Sequence, residues 1–249
     1  MRSTLNKQWY VLCLDIAVCL LCAVGASLVV THTSVWIQPA TTNVPSLKSM
    51  GIWAVTVVLV LQNTLIIAYV RWRAGNQPQW LWGDSPSRIS HIVLYSAIAI
   101  PLVLLVNIMV GVVFVVFGLQ HNQSALYPLS AGDTIGQLVF FVVAVVLVPV
   151  AEEVLFRGYI YGRVARIASP VVAVISSAVV FAAAHTWSAS TGNIALVVQT
   201  CALGLVLGWI RNQSQSTFPS MVAHAMNNAV ALLLVISCVN HPELGCART

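Results

Sequence analysis

The feature that most constrains this chain is the run at 91–117, which contains no Lys, Arg, Asp or Glu. About 20 consecutive apolar residues are enough for a helix to cross a bilayer core. Similar runs occur at roughly 9–31, 51–70, 135–156, 169–187, 193–210 and 218–240. Together they leave 59% of the chain hydrophobic and only 7% charged, where an ordinary soluble domain carries about 25% charged residues. Too few polar side chains remain to cover a water-facing surface, which excludes a soluble enzyme, a disordered chain and a coiled coil. A transmembrane barrel would be written in short alternating segments. Continuous runs call for helices, which satisfy their own backbone groups in lipid. The expectation is therefore an all-α fold: one integral-membrane domain over 1–249, a polytopic bundle of about seven transmembrane helices. The first run is too long for a signal-peptide core and reads as a retained span. Pro101 and Gly111 predict a tilt or kink in the third.

Orientation follows from the basic residues, which collect on the cytoplasmic side of membrane proteins. With the N-terminus in the cytoplasm, that side holds Arg2, Lys7, Arg71, Arg73, Arg88, Arg157, Arg163, Arg166 and Arg211, against Lys48 and Arg248 outside. Nine against two predicts a cytoplasmic N-terminus and an exterior C-terminus. Segment 71–90, with its Trp and Arg residues, reads as a cytoplasmic loop, and 118–134 as exterior. The net charge of +5 then reflects topology and contact with anionic lipid rather than nucleic acid, for which no basic run with interleaved aromatics exists. Cys13, Cys19, Cys22 and Cys201 fall in apolar runs and read as packing residues. Cys238 and Cys246, at the exterior end, are candidates for a disulfide in an oxidising space.

Against this background the ionisable residues inside spans stand out, because each costs roughly 2.5–3.5 kcal/mol at the bilayer centre. The fourth run ends in Glu152-Glu153-Val-Leu-Phe-Arg157. On a helix, Glu153 and Arg157 are i,i+4 neighbours and can pair. Glu152 points about 100° away and stays available as a base. The fifth run ends in Phe181-Ala-Ala-Ala-His185, and the seventh begins with His224-Ala-Met-Asn227-Asn228, where His224 and Asn228 share a face. Taken singly, these read as a helix-end ion pair, an interface histidine and an interhelical hydrogen-bonding pair. Taken together they point to a site. Glu152 and His185 lie nearly equally far from the turn near Ser169, so an antiparallel hairpin sets them at one depth. His224 lies about 9 Å from the start of its span by helix rise, and Glu152 about 25 Å from its turn. Their levels match if the hairpin projects into the cytoplasm or if Gly158 and Gly162 bend it. Asp15, in the first run, has no motif around it and is assigned no role.

The three motifs, in this order on separate helices, resemble the CAAX protease and bacteriocin-processing family of intramembrane proteases, the CPBP or Abi group, also described as type II CAAX prenyl endopeptidase-like. The resemblance covers about 150–230. It implies hydrolysis of a peptide bond at the membrane, with Glu152 and His185 activating water, His224 and Asn228 stabilising the oxyanion, and Glu153 and Arg157 orienting the helix end. Helices 1–3, within 1–134, would be accessory and helices 4–7, within 135–240, the catalytic core. No cofactor is expected. Two histidines and a glutamate can hold Zn²⁺ with an open fourth position, so a zinc mechanism stays as the alternative, although there is no H-E-x-x-H.

The function that follows is an intramembrane endopeptidase acting near the cytoplasmic face on a peptide or membrane-anchored protein, lipidated or not. The alternative is a non-catalytic family member that binds, as a bacteriocin-immunity or scaffolding protein. A transporter would show internal repeats and broken helices in both halves, and none is visible. The short, lysine-poor chain reads as a bacterial multi-pass protein of the cell membrane.

Overall fold

The computed structural model describes residues 8–19, 21, 51–83, 88–118, 129, 131–185, 194–241 and 243. Among these residues the only β structure is a single isolated bridge, Gly83 to Ser216. The helices are α1 (Gln8–Cys19), α2 (Ile52–Ala74), α3 (Gln79–Trp82), α4 (Ile89–Val116), α5 (Thr134–Ile167), α6 (Pro170–Ala184), α7 (Ile194–Ser214) and α8 (Phe218–Asn240). Four of them, α2, α4, α5 and α8, are long and apolar enough to cross a membrane, while α1 and α6 are apolar but shorter. Among the described residues the structure thus supports a multi-pass helical membrane protein with four helices long enough to span; part of the first expected run, 9–31, lies outside them. Lys48, Cys22 and Cys246 of the candidate disulfide lie outside the described residues.

Two boundaries differ from the sequence expectation. The segment read as a loop after α2 contains the short helix α3. The fourth span, expected to stop at 156, continues to Ile167 as part of a 34-residue helix. By helix rise α5 is about 51 Å long, against a hydrocarbon core of about 30 Å. Even at a 40° tilt it overshoots that core. This removes the mismatch of levels between Glu152 and His224, because the α5–α6 hairpin extends beyond the depth that a simple span would reach.

The core forms where α5 is enclosed. α6 packs along α7, and α4 packs along both α7 and α8. Gly204 and Gly208 let α7 approach closely, for a Cβ at Gly204 would lie 3.0 Å from the Ala178 backbone on α6. Gly158 does the same for α3, where a Cβ would meet the Leu81 carbonyl at 2.6 Å. α3 is tied in turn to the start of α8, since Thr217 donates from its backbone N–H to Trp82 O (3.0 Å) and from its hydroxyl to Leu81 O (2.8 Å).

At one end of the bundle, Asp15 on α1 accepts from Tyr69 Oη (2.7 Å), Arg73 Nε (2.7 Å) and Nη2 (2.9 Å), and Tyr159 Oη (2.5 Å). Arg163 donates to Tyr159 Oη at 3.0 Å, and Arg163 and Arg166 stack on Trp80. The acid that sequence left without a role is thus the centre of a polar layer joining α1, α2 and α5.

Candidate active site

The carboxylates sit on an interrupted stretch of α5. Val143–Leu147 and Val154–Ile160 are π-helical, and the α-helical turn between them, Val148–Glu153, carries Glu152 and Glu153. Pro149 gives a local reason for the first interruption. A proline has no N–H to donate and its ring crowds the carbonyl four residues back. Val148 donates its N–H to Val143 O, five residues back. Ala144 O therefore loses its helical donors at both i+4 and i+5. In the second π segment, Tyr161 N–H goes to Gly158 O and Phe156 O, which leaves Arg157 O without its i+4 donor. Both released carbonyls are taken up from other helices: Asn228 Nδ2 donates to Ala144 O at 3.1 Å and Arg211 Nε to Arg157 O at 3.2 Å. Such π-bulges recur at functional sites because they re-aim side chains and release backbone groups.

Glu153 and Arg157 form the pair that their spacing predicts. Arg157 Nη1 donates to Glu153 Oε1 at 2.7 Å, with both side chains fully buried. Arg157 Nη2 reaches the Gly204 carbonyl (3.2 Å), and its guanidinium lies 4.6 Å from the Phe181 ring centroid. A buried ion pair offsets its desolvation best when its remaining hydrogen-bonding positions find partners. Here the Gly204 carbonyl and the Phe181 face supply part of them, while Arg157 Nε and Glu153 Oε2 stay buried without a hydrogen-bond partner among the described residues.

Glu152 is placed differently. Its side chain is 19% exposed and, among the described residues, faces His224 Nε2 at 3.5 Å and His185 Nε2 at 4.0 Å. Each histidine is oriented from behind. His185 Nδ1 lies 2.8 Å from Phe181 O, a carbonyl that can only accept, so Nδ1 donates there and Nε2 is the nitrogen turned towards Glu152. His224 Nδ1 lies 3.0 Å from Glu153 Oε1, a carboxylate oxygen already held by Arg157, so the same logic turns its Nε2 to Glu152. Phe181 packs edge-on against both rings, with centroids 4.8 Å from His185 and 5.8 Å from His224. The outcome is a carboxylate facing two imidazole nitrogens. Groups 3.5–4.0 Å apart can each lie about 2.8 Å from one water oxygen.

Five of the six residues singled out from sequence, Glu152, Glu153, Arg157, His185 and His224, thus form one contiguous cluster. The structure adds a contact that sequence did not foresee, since His224 touches both glutamates. Asn228 lies one turn further along α8, and its amide is bonded to Ala144 O rather than to the carboxylates. Asn227 donates to Asn228 Oδ1 at 3.3 Å and accepts from Asn107 on α4. Among the described residues no three His, Cys, Asp or Glu side chains are grouped as a ligand set for a metal ion. Sequence reasoning passed over Asn107 and Arg211, and over the Gly204 carbonyl, for which the sequence carries no signal. Arg211 was counted only for topology, yet it is 1% exposed, with its guanidinium 4.9 Å from the Tyr161 ring centroid. The available signal was a polar residue within or at the end of an apolar run with no local partner, a test applied only to ionisable groups within the spans.

The family described as Rce1-like, type II CAAX prenyl endopeptidase Rce1-like, matches residues 134–230, a segment that holds all six of these side chains. No curated protein and no solved structure matches the chain.

Proposed function

We propose, from the premise that residues 134–230 are an Rce1-like domain and that this family points to a CAAX-type membrane protease, that the protein is an intramembrane endopeptidase in which Glu152 is the general base. The observation that carries this reading is the placement of Glu152 opposite two inward-turned Nε2 atoms, with its partner Glu153 already neutralised by Arg157. A carboxylate set 3.5–4.0 Å from two imidazole nitrogens is placed to accept a proton from a water held between them.

Glu152, with His185 Nε2 beside it, takes a proton from water as the oxygen attacks the peptide carbonyl. The C=O π electrons move to oxygen, giving a tetrahedral oxyanion. His224 Nε2–H and the second Nδ2 hydrogen of Asn228 are the donors that meet it. The Glu153 carboxylate lies against His224 Nδ1 and orients the ring. When the C–N bond breaks, the proton held by Glu152 passes to the leaving amine. Preorganised donors in a water-poor site are worth far more than in water. The substrate is a peptide or membrane-anchored protein, lipidated or not.

The site lies near the cytoplasmic face of a bacterial cell membrane in this reading, with the N-terminus inside. It is supported by the gathering of Arg73, Arg163 and Arg166 into the Asp15 layer at one end of the bundle. Cysteine labelling at position 76 from the inside and at position 125 from the outside checks it; the opposite pattern inverts the topology.

The central test is a comparison of membranes containing wild type or Glu152→Ala by proteomics of new amino- and carboxy-termini. Termini present only with wild type identify the substrate. No difference between the two supports the binding alternative. A strong chelator applied to the purified protein should leave cleavage unchanged; loss restored by Zn²⁺ would instead support the metal mechanism.

A further inference from the structure

We propose that Asn107, Gln199 and Asn227 are positioning residues that fix the orientation of the Asn228 amide, a proposal that rests on the oxyanion role given to Asn228 above. Four side-chain amides form a continuous series across three helices. Gln199 Nε2 on α7 donates to Asn107 Oδ1 on α4 at 3.0 Å. Asn107 Nδ2 donates to Asn227 Oδ1 on α8. Asn227 Nδ2 donates to Asn228 Oδ1 at 3.3 Å, and Asn228 Nδ2 donates to Ala144 O on α5 at 3.1 Å.

Every link runs in the same sense, and the last acceptor dictates that sense. A backbone carbonyl cannot donate, so Asn228 must present Nδ2 to Ala144. Its Oδ1 is then available only as an acceptor, which Asn227 fills. The same reasoning passes back through Asn107 to Gln199. An isolated asparagine can rotate by half a turn, exchanging oxygen for nitrogen at almost no steric cost. In this series one flip would set oxygen against oxygen at the next link. Aligned amides also polarise one another. The consequence for the site is specific. Asn228 has two Nδ2 hydrogens, and with one committed to Ala144 the second is held in place as a donor. A flipped Asn228 would offer an oxygen to a developing oxyanion and repel it.

The acceptor that anchors the series exists because Pro149 cannot donate to Ala144 O. The proline beside the two glutamates and the asparagine on α4 are thus linked. Asn107 lies outside the 134–230 segment that the family match covers, so α4, expected to be accessory, contributes to the site.

The experiment uses the full-length protein in lipid. Asn107→Leu removes both links at α4 and leaves an apolar side chain suited to a span. It should lower kcat about tenfold, part of the 10²–10³-fold that an oxyanion donor contributes, with KM changed less than twofold. Asn107→Gln should restore most of the rate. In an Asn228→Ala background, Asn107→Leu should cause no further loss, because its effect passes through Asn228. Gln199→Leu, at the far end of the series, should give a smaller loss of the same kind and serves if the α4 variant fails to fold. Equal losses with and without the Asn228 side chain would overturn the proposal, as would an unchanged kcat in both single variants. A second readout does not need turnover. The Asn228 side-chain ¹⁵N–¹H signals in selectively labelled protein should shift in Asn107→Leu and in Gln199→Leu, and unchanged signals overturn the proposal. Inactive wild type with shifting signals would defeat the protease reading while leaving the amide series standing.

Discussion

Asp15 and Glu152 are both carboxylates set among the helices, and their surroundings are opposite. Asp15 is 2% exposed and accepts four hydrogen bonds, from two tyrosines and both arms of Arg73. Glu152 keeps a partly exposed side chain, and among the described residues it faces His224 Nε2 at 3.5 Å and His185 Nε2 at 4.0 Å. The difference lies in what remains unused. A carboxylate has about four lone-pair sites. At Asp15 all of them are engaged, so the group can hold helices together but cannot take a proton without giving up a bond. At Glu152 the strong donors nearby have been spent on Glu153, which takes Arg157 and one face of His224. Glu153 therefore has at this site the part that Asp15 has in its own layer, and Glu152 keeps the open lone pairs that the proposed base requires.

The widest separation between the two regions should come from removing one charge in each. Glu152→Gln keeps shape and volume but removes the proton acceptor. Cleavage should fall about 10²–10⁴-fold, with thermal unfolding in detergent unchanged. Asp15→Asn should do the reverse, lowering stability by about 1.5–3 kcal/mol through weakened charge-assisted bonds while the folded fraction retains its kcat. If Asp15→Asn abolished turnover in folded protein, or Glu152→Gln kept more than about a tenth of the rate, the division between structural and chemical carboxylates would fail.

Arg157→Lys sharpens the comparison within the site. A lysine keeps the charge, but a single ammonium cannot serve Glu153 Oε1 and the Gly204 carbonyl as the planar guanidinium does. Breaking a buried pair outright costs about 3–5 kcal/mol, so the partial loss here should be about 2 kcal/mol in unfolding free energy. Because Glu153 also orients His224, the rate should fall in parallel. A variant that lost activity with stability intact would place Arg157 in the chemistry rather than behind it.

How much of this was legible in the sequence follows from the range of each interaction. The Glu153–Arg157 pair is written in its i,i+4 spacing, and the shared depth of Glu152 and His185 in their distances from the turn at Ser169. The Asp15 layer could not be read that way, because its partners Tyr69, Arg73 and Tyr159 come from two other helices and no local pattern joins them. The length of α5 was legible from the turn at Ser169 but not from hydropathy. The apolar run stops before Arg157, but that charge is paired with Glu153 one turn earlier, and the helix continues through Arg163 and Arg166 to Ile167. The π segments depend on both a local cause, Pro149, and distant donors, Asn228 and Arg211, and only the first is visible in the sequence.

Arg211 tests the second π segment. Its Nε holds the Arg157 carbonyl, and its guanidinium lies against Tyr161. Arg211→Met fills similar space without the donor. It should cost about 1.5–3 kcal/mol in stability, the range of one hydrogen bond involving a charged group, and a few-fold in rate. Unchanged unfolding would mean that the π register of Val154–Ile160 holds without it.

The smallest effect is expected at Pro149, and there the two observables should separate. Pro149→Ala supplies an N–H that can donate to Ala144 O, the carbonyl now served by Asn228. The new backbone bond contributes about 0.5–1.5 kcal/mol. Loss of roughly two buried methylenes costs about 1–1.6 kcal/mol, so stability should change by less than about 1 kcal/mol. The rate should nevertheless fall several-fold, because Asn228 then competes for its anchor and its amide is less firmly oriented. Thermal unfolding and kcat measured on the same preparation decide the matter. A fall in both would mean that Pro149 acts by packing alone. A several-fold fall in kcat at near-constant stability, absent in an Asn228→Ala background, would show that the proline acts by leaving a carbonyl open for that asparagine.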